Sequence, residues 1–193
     1  PFYQGFSIVT AETASTLFEN LVFDAVYNQA SEKDKATLLH DRITRDISTI
    51  ERQIAFFNAE LEMHDTIHAH GSMQNHEFAA CMEKHLKSYL GPSVRVAKED
   101  GYSYVYVSHL RYGFYVYSYA FGLLMSTLMS QKYKEDKSYI EKIDKFLSAG
   151  SSDTVVDIFK SIGIDTTKED TFLKALDNHA ADIKQFEKIV KLR

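Results

Sequence analysis

In Glu12-Thr-Ala-Ser15-Thr-Leu-Phe-Glu19, two carboxylates and a hydroxyl stand at positions i, i+3 and i+7. On a helix these positions project from one face. The same segment offers Ala11, Ala14 and Phe18 for burial. Spacing alone favours a solvated polar face, the commoner reason for carboxylates so placed. The chemical reading is that one carboxylate ligates zinc while the other orients a histidine ligand of that metal.

A second group surrounds His109. Seven of the 12 tyrosines fall between Tyr102 and Tyr119. A histidine beside Tyr112, Tyr115 and Tyr117 offers several neutral donors, suited to a developing oxyanion or to a peptide carbonyl. Aromatic core packing around a satisfied histidine is the plainer account. Phe and Leu would serve packing better, however, and the hydroxyls gather in one partly glycine-flanked segment, so a site is favoured here. A third group, His64-Asp-Thr-Ile-His68, has the spacing of the H-E-x-x-H zinc motif with Asp65 in place of the glutamate. Aspartate is one methylene too short for the same work on a bound water. The exposed polar end of a long helix is the favoured reading there.

The elements that must position these groups read as helices throughout. Apolar residues recur at three-and-four spacing over about 7–28, from about 34 to 68 (one long helix or two joined near Ser48), and over the Phe78–Tyr89 face. Gly71-Ser72 ends the second of these, with Ser72 available as the next N-cap, and Gly91-Pro92 ends the third. Residues 93–107 are the least helical, with a short extended segment or a mobile loop expected around Gly101. A helix is expected from just after His109 to about Ser130. Three shorter ones follow at about 135–148, 152–161 and 168–191, the last opened by a capping box in Thr166-Thr-Lys-Glu169.

Composition narrows the class. The chain has 193 residues with 45% hydrophobic and 25% charged side chains, ordinary for a globular protein, and only 2 Pro and 8 Gly, which favours long helices over a many-turned β fold. The expectation is a single all-α domain over 1–193, a multi-helix bundle. A net charge of −5 gives no long-range attraction to nucleic acid or to an anionic membrane. Tyr112 to Gln131 carries no charge and is long enough to span a bilayer. Its tyrosines, with Ser118, Ser126 and Thr127, argue instead for a buried helix lining a polar pocket. The one cysteine, Cys81, allows no internal disulfide and fits a reducing compartment. The chain opens at Pro1 with no leader-like segment, which prompts the expectation of a piece of a longer protein.

Taken in order along the chain, these segments resemble one family. Ala11-Glu-Thr-Ala-Ser-Thr-Leu-Phe-Glu19 is similar to the E-x-x-S-x-x-x-E signature of oligoendopeptidase F and its thimet oligopeptidase relatives. His109-Leu-Arg-Tyr-Gly-Phe-Tyr-Val-Tyr-Ser-Tyr-Ala-Phe-Gly122 resembles that family's His-plus-tyrosine segment. Arg52-Gln53 through Phe57 with Ala59-Glu60 looks like its long core helix, Tyr89-Leu-Gly-Pro-Ser93 like its helix-ending turn, and Phe146 to Asp153 like the start of its C-terminal helices. The resemblance covers nearly the whole chain.

The resemblance implies the C-terminal portion of a zincin-like helical oligopeptidase catalytic domain. The upstream H-E-x-x-H helix, with two zinc histidines and the general-base glutamate, is not in this sequence. Glu12 would then be the third protein ligand of zinc, and Glu19 the carboxylate behind a zinc histidine. His109 and Tyr117, with Tyr115 and Tyr112, would contact the substrate backbone and the oxyanion. Gly101 and Gly113 would lend the loop mobility. The implied reaction is hydrolysis of internal bonds in short peptides, in the cytoplasm, with zinc polarising the carbonyl and activating water. The parent would be a zinc metallopeptidase and this fragment alone inactive. Its partners would be short peptides and the missing N-terminal part of the same protein, and self-association through the first helix would cover the apolar face of Ala11, Ala14 and Phe18. The competing reading is a non-catalytic helical peptide-binding module or a degenerate homologue that has lost the metal.

Overall fold

The computed structural model describes residues 5–191; Pro1, which prompted the expectation of a longer protein, lies outside them. Among the described residues there is no strand. The helices are α1 (Ile8–Gln29), α2 (Glu32–Thr49), α3 (Glu51–His70), α4 (Asn75–Leu90), α5 (Tyr117–Glu135), α6 (Ile140–Ala149), α7 (Val155–Ser161) and α8 (Glu169–Lys191). Short 3-10 turns lie at Lys98–Val105, Ser108–Arg111 and Lys137–Tyr139. The all-α expectation holds, and the stretch from 34 to 68 is two helices with their joint at Ile50. The chain groups into two compact units, Pro1–Asp46 with Phe121–Arg193, and Ile47–Ala120.

In the first unit α5 has to bury a run that contains serines and a threonine. Residues 122–130 are all buried. At residues 122, 126 and 130 the helix finds polar partners on α1. Thr16 Oγ1 donates to the Gly122 carbonyl at 3.2 Å, Asn20 Nδ2 to Ser126 Oγ at 3.2 Å, and Ser130 Oγ to Asp24 Oδ2 at 3.3 Å. The rungs advance by one helical turn on both helices in the same direction, so α1 and α5 run parallel. Small residues at the contact let the two backbones approach closely. A Cβ added to Gly122 would lie 2.7 Å from Glu12 Cβ and 2.8 Å from the Glu12 carbonyl carbon. Satisfying its polar side chains against α1 makes α5 a buried helix of a globular unit, and no described helix is long and apolar enough to cross a membrane.

The face that α1 turns inward is therefore Val9, Thr10, Thr13, Leu17 and Asn20. Phe18 is left 53% exposed, with Phe6, Val22 and Val26 also open to solvent. Arg42 ties the helices of this unit together. It is 8% exposed, lies 3.0 Å from Asp182 and 3.7 Å from Asp24, and covers the Phe23 ring at 4.5 Å.

The second unit is built on α3 against α4, around Phe56, Ala59, Met63, Cys81, Met82 and Leu86. Helix α4 begins with Gln74 as its cap, where Glu77 accepts the Gln74 N–H at 2.6 Å, and not with Ser72. The turn before α8 likewise uses Asp165, which accepts from Thr167 N and Oγ1 at 3.1 and 2.6 Å, in place of the expected Thr166 box. Residues 98–105 form a 3-10 turn pressed onto α4, where an extended or mobile loop was expected. Gly101 is buried, and a Cβ there would stand 2.1 Å from the Ala79 carbonyl oxygen. This glycine serves close packing, not mobility.

Both glycines are thus expected to resist any side chain. Gly122→Ala and Gly101→Ala should each lower stability in urea by about 1–3 kcal/mol, the usual cost of overpacking a tight contact. Gly5→Ala, whose Cβ would meet only Ser151 Oγ at 3.8 Å, should be near neutral. Equal midpoints for all three would refute the close approaches.

Candidate functional site

The His-plus-tyrosine segment does not begin as a helix. Gly113 and Phe114 both take the left-handed conformation, with φ of 60° and 58°. That is routine for glycine and uncommon for phenylalanine. Glu60 of α3 accounts for it. Only 2% exposed, it accepts the Phe114 N–H at 2.7 Å through Oε1. The Phe114 ring then lies 4.9 Å from His64 and 5.7 Å from Phe57, centroid to centroid. Val116, 1% exposed, closes the turn into the α3–α4 core. The turn delays the start of α5 to Tyr117, where the sequence predicts a helix from just after His109.

This turn gathers rings around His109. Tyr115 stacks on the imidazole at 5.3 Å and 22°, Tyr112 meets it edge-on at 6.2 Å, and Tyr119 edge-on at 5.7 Å. The Tyr119 hydroxyl is 3.1 Å from His109 Nε2. A hydrogen bond between a phenol and an imidazole fixes the ring and its tautomer. Tyr115 and Tyr119 also pack edge to face at 5.5 Å. Tyr112, 65% exposed, stands at the rim. The structure therefore brings together His109, Tyr112 and Tyr115 of the expected residues. Tyr117 lies elsewhere, edge-on to Phe57 at 6.0 Å. Sequence reasoning overlooked Tyr119. It is half-buried on the helical turn that carries Ser118 and Ala120, and its reach to the imidazole depends on where α5 begins.

On α1, Glu12 is partly buried where Gly122 admits the helix backbone. Ser15 and Glu19 are exposed. Glu19 is held by Arg45 of α2, Oε2 to Nη1 3.3 Å. Among the described residues no third ligand joins His64 and His68 in a metal-binding group. His64 packs on Phe114, and its ring is 6.5 Å from that of His68. The one group of three ligating side chains among the described residues is Glu62, Cys81 and His85. There Glu62 Oε2 already bridges Lys84 at 2.6 Å and His85 at 2.7 Å. These donors hold the Glu62 carboxyl below the usual range, and burial pushes the Cys81 thiol up to about 11. The thiol points at the Ala59 carbonyl, 3.6 Å away. It behaves as a protonated core residue.

With this geometry in hand, comparison with known proteins is specific. The sequence matches the model of Peptidase family M3 over residues 2–178. Oligopeptidase PepF of Bacillus subtilis (strain 168) is 30% identical over 191 residues, covering 97% of this chain and 28% of that protein. The oligoendopeptidase F homolog of Borreliella burgdorferi is 28% identical over 194 residues, covering 98% and 32%. The fold superposes on oligoendopeptidase-F from Enterococcus faecium with a TM-score of 0.87 at 23% identity, over 97% of this chain and 36% of that one. The chain thus spans less than two fifths of each of these three proteins.

Two outcomes are expected. Glu60→Ala should release the Phe114 amide and lower stability by about 1–3 kcal/mol. Glu60→Gln, which keeps an acceptor, should lose less. Cys81, held protonated and covered, should resist alkylation in native protein at pH 8 and react at once in urea. Rapid native labelling would contradict the burial.

Proposed function

We propose, from the premise that the chain belongs to peptidase family M3, that it supplies the peptide-gripping residues of an enzyme hydrolysing internal bonds of short peptides. The observation that carries this reading is the His109 cluster, three tyrosines around one imidazole within the matched span. Tyr119 holds the His109 ring, and Tyr112 and Tyr115 stand beside it as donors for a peptide carbonyl or for the oxyanion formed from it. Tyr117 contributes from the neighbouring face of the same segment. The cytoplasm is the proposed location.

A zinc ion is part of this proposal for the longer protein, with Glu12 as one ligand and Glu19 as the carboxylate behind a histidine ligand. The residues of this chain do not by themselves fit a catalytic zinc site. Such a site takes three protein ligands, and the one cluster of three among the described residues is Glu62, Cys81 and His85, which does not include Glu12. No step of the hydrolysis is therefore assigned to this chain's carboxylates. The exposed apolar side chains of α1 fit the same picture. Phe6, Ala11, Ala14 and Phe18 line a groove of about 380 Å³ with Phe146 and Leu147. We assign its cover to the remaining part of the longer protein, since the matched relatives extend well beyond this chain. Alone, the chain should self-associate there to remove apolar area from water.

A helical peptide-binding module without catalysis is the second reading, favoured by the absence of a ligand cluster around Glu12 among the described residues. Calorimetry with a short unstructured peptide tests the grip. Binding should be detectable and should weaken about tenfold in His109→Ala, the loss of one hydrogen-bonded group; undiminished binding would remove His109 from the site. A fluorogenic-peptide assay should show no turnover by the chain alone. Sedimentation should show concentration-dependent association that Phe18→Asp abolishes. A strictly monomeric wild type would leave the α1 face without its proposed partner.

A further inference from the structure

A pocket of about 670 Å³ opens beside His109 and Tyr119, in the range typical of sites for small ligands. Its walls mix polar side chains with apolar ones, Phe56, Leu86, Val94 and Val96 among the latter. Two polar side chains on the lining have donors with nothing to receive them. Arg52 Nε and Ser103 Oγ are both buried without a hydrogen-bond partner. Arg95 lines the same pocket, and neither arginine forms an ion pair within 4.0 Å among the described residues. The single carboxylate on the lining, Asp100, is turned to the backbone, where Oδ2 accepts the Ala97 N–H at 2.8 Å.

A guanidinium offers donors and no acceptor. Burying part of one without a partner is costly, so the pocket favours a ligand that brings an anionic acceptor. Arg52 also acts on its neighbours as a live charge: burial pushes the Tyr89 phenol up, and Arg52 opposes that shift. A carboxylate suits the planar fork of an arginine better than any other anion a peptide carries.

We propose that this pocket binds the C-terminal carboxylate of a short peptide, with Arg52 as the anchor and Ser103 as an added donor. The apolar walls receive the last side chain. His109 and Tyr119 at the mouth then meet the peptide backbone at a fixed distance from its end. Anchoring the terminus makes the protein measure its substrate from the C-terminus, which selects short peptides over internal segments of folded proteins. The inference rests on the peptide-binding reading above.

Calorimetry on the chain separates the two. Two probes share the sequence Ala-Ala-Ala-Phe-Leu, the free acid and its C-terminal amide, and a third is the amide with glutamate in place of the penultimate phenylalanine. The free acid should bind about tenfold tighter than the amide, the worth of one charge-assisted pair. Arg52→Gln should erase that difference while leaving the affinity of the amide, and Ser103→Ala should reduce it without altering the fold. Circular dichroism and urea midpoints check that both variants fold, and Ser103→Ala carries the test if Arg52→Gln does not. Equal affinity of acid and amide in the wild type overturns the proposal while the peptide reading stands. Binding of the glutamate-containing amide as tight as that of the acid overturns the terminal assignment in favour of acidic side chains. Binding of none of the three overturns the peptide reading and this proposal with it.

Discussion

A helix with no charge for most of its length can be buried only if its few polar side chains find partners on the neighbour it meets. In α5, Ser126 and Ser130 meet Asn20 and Asp24 of α1, Thr16 of α1 donates to the Gly122 carbonyl, and Thr127 turns back to the Leu123 carbonyl with His179 of α8 beside it. The match leaves Asn20 Oδ1 buried without a hydrogen-bond partner, and it draws the two backbones together where Gly122 lacks a side chain. The contact falls at Glu12. The residue that the resemblance offers as a metal ligand therefore sits where the two helix backbones approach closely.

The second unit solves a different problem by the same means. A tyrosine-rich segment must leave α4, turn, and enter α5 with its rings gathered on one histidine. The turn needs two left-handed residues in succession, one of them a phenylalanine. A buried carboxylate, Glu60, holds that amide, and aromatic contacts with His64 and Phe57 hold the ring. Strain of this kind, of order 1–3 kcal/mol, persists only where the surroundings over-determine it. The histidine pair with the look of a metal motif thus finds a simpler task, with His64 acting as a packing partner for the turn.

Much of this was legible in the sequence, and the exceptions share a cause. The helical periods, the stops at Gly71 and Gly91, and the resemblance of the two motif segments depend on local pattern, which the sequence carries openly. Tyr119 and Glu60 were missed because their roles depend on a turn whose conformation is set by a distant carboxylate. Gly101 suggests a mobile loop in the sequence because a glycine's reason is invisible until its neighbour is known, and that neighbour is the Ala79 carbonyl. The resemblance pairs Tyr117 with His109, and the helical turn that starts there packs Tyr117 against Phe57 and carries Tyr119 to the imidazole.

The central claim is that the ring cluster at His109 is where this chain grips peptide. Carbon-13 resolved NMR of the histidine rings, followed while a short peptide is added, reads it directly. The account predicts that the His109 ring signals move in a saturable way, while those of His179, held by Asp46 at 2.8 Å within the other unit, stay in place. Saturable binding that leaves His109 unmoved and shifts another histidine would contradict it.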